Sequence, residues 1–492
     1  VSSTQKSAAP AATSEYAHKL PTQEEDFSGW YTTLVRATKL ADYAPVKGCM
    51  VIPPYGWALW ENMQRLLDAR IKATGHENAY FPLLIPESFL KKEAEHVVGF
   101  APQVAWVTHG GDDELEERLA IRPTSEAIIG HFYSKWIESY RDLPVLINQW
   151  ANVMRWEKVT RLFLRTTEFL WQEGHTAHRE GVEAREETMR MLEVYRAFLE
   201  EDLAVPVYKG QKTDSEKFAG AEDTYSIEAL MRDGRALQAG TSHYLGTHFA
   251  KVFDITYQDE NGQRQFVHQT SWGVSTRTVG AVIMTHGDNT GLRLPPKIAP
   301  FQVVVVPIYR KDEERAAVLA FVDRVKAALT EAGIRYKVDT DDSQSPGFKY
   351  NEWERRGVPV RFEVGPRDVA SEQVFAARRD KKEKTPIPLA NLAERTRALL
   401  DDVQKGLYEQ ALAFRAEHTF DADSLDDLAK ILEEKRGFVR ARWCGSADCE
   451  ATVKEKTTAT IRCLPLGEPD DAGPCIVCGK PSPRRVLFAK SY

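Results

Sequence analysis

The amino-acid sequence predicts an α+β fold spread over several domains, and three observations carry that expectation. The chain has 492 residues, more than one hydrophobic core usually organises. Apolar patterning alternates irregularly between helix and strand from Phe27 to about Pro296, then settles into a regular strand–helix alternation from Phe301 to about residue 410. Five of the six cysteines follow residue 440, which marks off a last segment with its own chemistry.

Composition narrows the function. A 42% hydrophobic share with 28% charged residues suits a soluble globular protein, and no apolar run is long enough to cross a bilayer. A net charge of -7 excludes a protein that coats nucleic acid by bulk charge, but not an enzyme that grips one RNA through local basic patches. No charged-then-apolar signal peptide opens the chain. There is no internal repeat, no Walker A loop and no Gly-x-Gly-x-x-Gly leading into a helix.

In chain order, residues 1–25 are rich in Ser, Ala, Thr and Pro and read as a disordered tail. CMVIPPYG reads as a strand broken at Pro54, followed by a helix with Leu59, Met63, Leu66, Leu67 and Ile71 on one face. RPTSEAIIGH carries Thr124 and Glu126; Thr-Ser-Glu ahead of an apolar run also caps a helix well. RWEKVTRLFLRTTEFLWQEGHTAH, from Arg155 to His178, reads as a hairpin with an arginine at its base and mobile cations, Arg161 and Arg165, on its loop. Guanidinium groups bind phosphate and carboxylate bidentately and keep their charge, so this pattern suits a nucleotide and an amino-acid carboxylate together. ALQAGTSHYLG and QTSWGVSTR follow, carrying Gln238, Thr241, His243, Trp272, Ser275 and Arg277.

From Phe301, FQVVVVPIY, IRYKVDT, VPVRFEVG and QVFAARR read as strands. Val318, Val322, Val325 and Leu329 mark one helix, and Leu392, Leu399, Val403 and Leu407 another. This α/β unit carries Lys349, Glu354, Arg361 and Arg367, which can position phosphates and read base edges. Its basic run Arg378, Arg379, Lys381, Lys382, Lys384 lies nearby and reads first as a solvated loop. In the last segment Cys444 and Cys449 are spaced C-x4-C, and Cys475 and Cys478 C-x2-C. Two close thiol pairs can wrap a structural zinc ion tetrahedrally in a reducing compartment, with disulfides as the alternative. Cys463 is left as a spare, and Cys49 reads as a small buried hydrophobe.

The Arg155–His178 string resembles motif 2 of the class II aminoacyl-tRNA synthetases, and its ending LWQEGHTAH is similar to the prolyl-tRNA synthetase branch, in the archaeal and eukaryotic-like form. CMVIPPYG with its helix resembles motif 1, the family's dimer interface. HGDNTGLRLPPKIAP resembles motif 3, with Lys297 in place of the usual arginine facing the triphosphate and Arg293 four residues earlier. The resemblance spans about residues 26 to 492. It implies a catalytic domain over 26–296 built on an antiparallel sheet flanked by helices, an anticodon-binding α/β domain over 297–410, and a small zinc-binding domain over 411–492. The activity implied is ATP-dependent attachment of L-proline to tRNA(Pro) through prolyl-adenylate, by a cytoplasmic homodimer that uses Mg2+ with ATP and has no membrane association.

The same resemblance implies roles residue by residue. Thr124 and Glu126 hold the proline amino group, and His243 lines the proline pocket; Trp272, read from its residue type alone, suits a wall of that pocket and a core position equally. Arg155, the catalytic residue, bridges the proline carboxylate and the α-phosphate. Arg165, Thr166, Gln238, Thr241, Ser275 and Arg277 contact ATP with Arg155. Lys349, Glu354, Arg361 and Arg367 contact tRNA, the four cysteines hold zinc, and Tyr492 tucks toward the active site. A non-catalytic paralogue would lack one of Arg155, Thr124, Glu126 or Arg277, and all four are present.

Overall fold

The computed structural model describes residues 20–96 and 103–492. Helix α1 (Gln23–Ala37) already overlaps the tail expected through residue 25, whose residues 1–19 lie outside the described residues. Thr22 caps α1: its hydroxyl accepts from the Glu25 amide and the Glu25 carboxylate accepts from the Thr22 amide, both at 3.3 Å. Thr22-x-x-Glu25 is a capping box, so the start of the fold was written inside the segment read as tail. Helix α2 (Pro54–Ala73) begins on a proline, where the missing N–H would have had no partner anyway. It buries Leu59, Trp60, Met63, Leu67 and Ile71, while CMVIPPYG yields only the two-residue strand Met50–Val51.

The first domain is organised by one sheet. In chain order that sheet and the helices beside it are β1 (Glu77–Asn78), helix α3 (Glu126–Trp136), β2 (Val145–Met154), β3 (Glu168–His178), helix α4 (Gly181–Ala197), β4 (Val207–Gln211), β5 (Asp223–Leu230), β6 (Ala236–Gly246), β7 (His268–Ser275) and helix α5 (Arg277–His286). The strands lie in the order β1-β2-β3-β7-β6-β5-β4, antiparallel except where β1 runs beside β2. Register fixes which side chains share a face. Ile147, His175, Ser271, His243 and Thr224 stand opposite one another across five strands, and Gln149, Glu173, Gly273, Thr241 and Ser226 form the next row on that face. On the other face α4 packs across β3, β7 and β6, and Trp272 is buried in the main core against Tyr195.

The second domain contains β8 (Val303–Pro307), helix α6 (Asp312–Glu331), β9 (Tyr336–Val338), helix α7 (Pro346–Arg355), β10 (Val360–Val364), β11 (Gln373–Arg378), β12 (Lys384–Pro388) and helix α8 (Leu392–Glu417). The order is β9-β8-β10-β11-β12, with β8 parallel to both neighbours and the last two pairs antiparallel. All five residues of β8 are buried, which is why it reads as an unbroken apolar run. Helix α8 crosses the boundary expected at residue 410.

The last segment adds β13 (Thr419–Ala422), β14 (Phe438–Arg442), helix α9 (Ala447–Thr457), β15 (Thr460–Pro465) and β16 (Arg485–Ala489). These four strands do not form a separate sheet, and the short pair Gly473–Pro474 with Pro481–Ser482 lies apart from them. Leu464 and Pro465 of β15 pair with Gln211 and Gly210 of β4, giving one sheet of eleven strands. Among the described residues no helix is long and apolar enough to cross a membrane.

Candidate active site

A cavity of about 230 Å³ opens on the face carrying the two rows described above. Thr124 and Glu126 form one wall, at the start of α3. The Thr124 hydroxyl donates to the Glu126 carboxylate, and the Ser125 hydroxyl donates to Glu173. Ser125 is the N-cap residue of α3 but makes no side-chain cap bond, so this turn serves the cavity rather than capping the helix. Glu173 accepts further from the Gln149 amide at 2.9 Å and lies 2.9 Å from His175 Nε2. Burial acts to raise the Glu173 pKa, but His175, Ser125 and Gln149 bring it below its ordinary value. Burial acts to lower that of His175, and the Glu173 carboxylate raises it above the ordinary value. His243 behaves oppositely: burial, with His175 and Arg155 beside it, pushes it down to about 3. Its Nδ1 lies 2.9 Å from the Thr224 hydroxyl.

Arg155 enters at the end of β2. Its Nε donates to the Pro123 carbonyl at 2.9 Å, and its guanidinium lies 5.4 and 5.5 Å from the Phe169 and Trp171 ring centres. Among the described residues its two terminal nitrogens have no partner, and Glu126, Glu173 and Glu157 favour its charged form against burial. The loop beyond it is more fixed than the sequence suggested. Leu162, Phe163 and Leu164 are buried in the main core, Arg161 donates to Ser28 at 2.5 Å, and Arg165 pairs with Glu157 at 2.8 Å. Thr166 gives its hydroxyl to the Glu168 carbonyl at 2.6 Å. Arg161 and Arg235 both lie over the ring of Tyr492, whose hydroxyl donates to Asp233 at 2.6 Å. The last residue thereby touches the motif 2 loop and the turn before β6.

Gln238 and Thr241 of β6 line the cavity with His243. Arg277, in the first turn of α5, donates to the Leu164 carbonyl at 3.0 Å and the Gln238 carbonyl at 3.4 Å, and the Ser275 hydroxyl accepts from its amide at 3.2 Å. Trp272 contributes to the cavity wall, but its ring lies across Gly174 on the core side of the sheet. Trp171, Glu173, His175 and Phe218 also line the cavity and were not singled out from sequence. The first three alternate along β3, a signal visible in LWQEGHTAH; Phe218 lies in a connecting segment without periodicity.

Lys297 requires a correction. Its ammonium pairs with Asp202 at 3.1 Å, beside Arg70, and Arg293 donates to the Asp380 carbonyl and Gln410. The string HGDNTGLRLPPKIAP is the junction between the first two domains, and the arginine beside the cavity after a strand–helix turn is Arg277.

In the second domain Glu354 and Arg361 share a cleft of about 190 Å³ with Arg378, Arg379, Lys382 and Lys384. Arg361 pairs with Glu363 at 2.8 Å and lies 4.0 Å from the Tyr350 ring centre. Lys349 is buried, donating to the Asp339 carbonyl at 3.0 Å, so it braces α7 and is not presented to RNA; Arg367 is exposed outside the cleft. Only the first half of the basic run departs from a solvated loop, since Lys381, Lys382 and Lys384 are exposed. Arg378 and Arg379 are buried, paired with Asp380 at 2.7 Å and, across the domain junction, with Asp288 at 2.6 Å.

The thiol sulfurs of Cys444, Cys449, Cys475 and Cys478 all lie within 4.8 Å of one another, with Cys444 Sγ 3.7 Å from Cys449 Sγ and 3.6 Å from Cys478 Sγ. These spacings are too long for a disulfide. They match the edge of about 3.8 Å that four thiolates adopt around zinc at bonds of about 2.3 Å. Burial acts against ionising Cys475, yet the backbone amides of Cys478, Val477 and Cys444 bring it down to about 7, whereas burial pushes Cys444 up and Cys449 up to about 12. Cys463 is buried elsewhere, against β4.

An antiparallel sheet with an arginine-based hairpin, a strand–helix arginine and a carboxylate-lined cavity defines a class II aminoacyl-tRNA synthetase. Residues 106–286 match the family described as tRNA synthetase class II core domain (G, H, P, S and T), residues 302–399 match the anticodon binding domain, and residues 425–492 match the prolyl-tRNA synthetase C-terminal domain. A proline–tRNA ligase of Natranaerobius thermophilus is 56% identical over 480 residues, covering 97% of this chain and 99% of its own. One from Chloroflexus aurantiacus is 58% identical over 472 residues, covering 95% and 98%. A crystal structure of prolyl-tRNA synthetase from Cryptosporidium parvum, complexed with halofuginone and AMPPNP, superposes with a TM-score of 0.93 at 40% identity, covering 96% of this chain and 99% of that one. The chain belongs to the prolyl-tRNA synthetase family. It charges tRNA with proline, and as a class II synthetase it uses ATP with Mg2+.

Proposed function

We propose that the 230 Å³ cavity holds L-proline for activation to prolyl-adenylate, and that Arg155 joins the proline carboxylate to the α-phosphate of ATP. The observation that carries this reading is that the Thr124–Glu126 pair and the Arg155 guanidinium line one cavity. Proline's ring nitrogen is a secondary ammonium with two N–H donors. Thr124 gives its proton to Glu126, so its oxygen offers lone pairs beside a carboxylate, and together they accept both donors. The proline carboxylate then attacks the α-phosphorus, forming the acyl–phosphate bond as the bond to pyrophosphate breaks. Arg155 stabilises the charge gathering on the α-phosphoryl oxygens, and Arg277 faces the nucleotide with Gln238 and Thr241. A carboxylate needs no general base, so positioning and electrostatics do the catalysis. In the second step the 3′ hydroxyl of tRNA(Pro) attacks the prolyl carbonyl and AMP leaves. The Mg2+ bound with ATP neutralises phosphate charge.

Cys444, Cys449, Cys475 and Cys478 are assigned to one structural zinc ion, which when bound ties the start of α9 to the Cys475–Cys478 turn. The cleft with Glu354 and Arg361 is assigned to tRNA, in a basic rim suited to phosphate. Exposed Tyr43, Val46, Val51 and Trp57 around the motif 1 strand support a homodimer that covers them. Four cysteines clustered as a metal site, with Cys49 and Cys463 in no disulfide, support a reducing, cytoplasmic setting. ATP–pyrophosphate exchange with each amino acid in turn tests the central reading. Proline should be the preferred substrate, and Arg155→Ala should lower exchange at least about a hundredfold. Preferential activation of another amino acid, or full activity in Arg155→Ala, would sink it.

A further inference from the structure

The segment from Lys212 to Glu222 joins β4 to β5, and its middle, Glu216, Lys217 and Phe218, walls the cavity. Phe218 lies 4.8 Å from the His243 ring, and its amide donates to the Thr224 hydroxyl at 3.0 Å. The first half of the segment is held from the far end of the sequence. Thr213 donates its hydroxyl to Glu450 Oε1 at 2.9 Å, and both side chains are buried. Lys212, also buried, donates to the Arg462 carbonyl at 2.8 Å, while the Arg462 guanidinium pairs with Glu228 at 3.1 Å. Glu216 lies 3.9 Å from Lys454.

Glu450 and Lys454 are four residues apart on α9, so one face of that helix meets the segment at two points. The residue before Glu450 is Cys449, one of the four clustered thiols. A buried carboxylate is costly unless its oxygens are satisfied, and Thr213 is the side chain that satisfies Glu450 Oε1. A helix whose sole role was to present a thiol would not require that carboxylate.

We infer that Glu450 is a positioning residue for the proline cavity: through Thr213 it sets the 212–222 segment so that Phe218 closes beside His243. The inference rests on the assignment of the cavity to proline.

The test uses the full-length protein. Thr213→Val removes the hydroxyl at nearly constant volume and away from the thiols, and Glu450→Gln weakens the acceptor. Amide hydrogen exchange over 212–222, zinc content, and the proline and ATP dependence of pyrophosphate exchange are measured for each variant and for the double variant. Both single variants should keep their zinc, exchange faster over 212–222, and raise the proline KM roughly tenfold, the weight of one buried hydrogen bond to a charged group. The ATP KM should move less than about twofold, and the double variant should be no worse than the worse single one, because both act on the same contact. Unchanged exchange and proline KM in Thr213→Val overturn the inference, as do equal losses for proline and ATP. Thr124→Ala separates this from the underlying assignment: an unchanged proline KM there means the cavity is not the proline site, whatever Glu450 does.

Discussion

Arg277 sits in a crowd of like charges. Burial, then Arg155 and Arg165, bring its pKa down to about 10, and its nearest fixed partners are backbone carbonyls. Such a cluster is best satisfied by a polyanion, which is what ATP brings. Arg277→Ala should therefore raise the ATP requirement and cost about 3 kcal/mol in kcat/KM, on the scale of losing one preorganised transition-state donor. Lys297→Ala, which only releases Asp202, should leave ATP dependence unchanged in the same steady-state assay; a raised ATP KM there would restore Lys297 to the site. The Glu173–His175 pair gives a pH signature. The raised pKa of His175 contributes stability in full below its ordinary 6.5, and that contribution is lost as pH rises through the higher folded value. The lowered pKa of Glu173 contributes above its ordinary 4.5, and that is lost as pH falls through the lower folded value. Both contributions are complete only between 4.5 and 6.5. Glu173→Gln should flatten the stability profile on both flanks and move the His175 imidazole resonance to titrate at lower pH in NMR. A His175 that titrates identically in the variant contradicts the pairing.

Strand β3 is the element on which the site depends most. One face carries Trp171, Glu173 and His175 into the cavity, and the other brings Gly174 under Trp272. A Cβ at Gly174 would stand 2.0 Å from that ring, so Gly174→Ala must displace a core tryptophan. The expected cost is about 1–3 kcal/mol, read as a lowered denaturation midpoint, with proline activation impaired because the strand carries both faces. Much of this was legible in the sequence. Thr124, Glu126, Arg155, Gln238, Thr241 and His243 were named from their strings and do line one cavity. Glu173 and His175 were equally readable, because period-two alternation through LWQEGHTAH puts them on the face of Trp171. Other features were hidden for physical reasons. Strand β12 has a lysine and two prolines in KTPIP and survives at the sheet edge, where a missing N–H is tolerated. Lys349 and the Arg378–Arg379 pair looked like RNA contacts or solvated charge, because burial paired with carboxylates and carbonyls leaves no mark on residue type.

At the scale of the whole molecule the three domains share their fastenings. Asp288 with Arg379 locks the first to the second, and β15 against β4 makes the third a continuation of the first. Elemental analysis of the purified protein should give about one zinc per chain, retained in Cys463→Ser and lost in Cys449→Ser. Loss of zinc from Cys463→Ser would show that the fourth ligand has been misassigned. The seam between β4 and β15 has a further consequence for any shortened form of the chain. A polypeptide ending at Glu417 would keep every residue of the cavity wall, and Val207 would keep its bonds to Glu200 and Arg415, but the outer edge of β4 at Lys209–Gln211 would lose its pairing with Leu464–Leu466. Such an edge is a template for another copy of itself, so the C-terminal segment also shields the sheet from intermolecular strand pairing and aggregation.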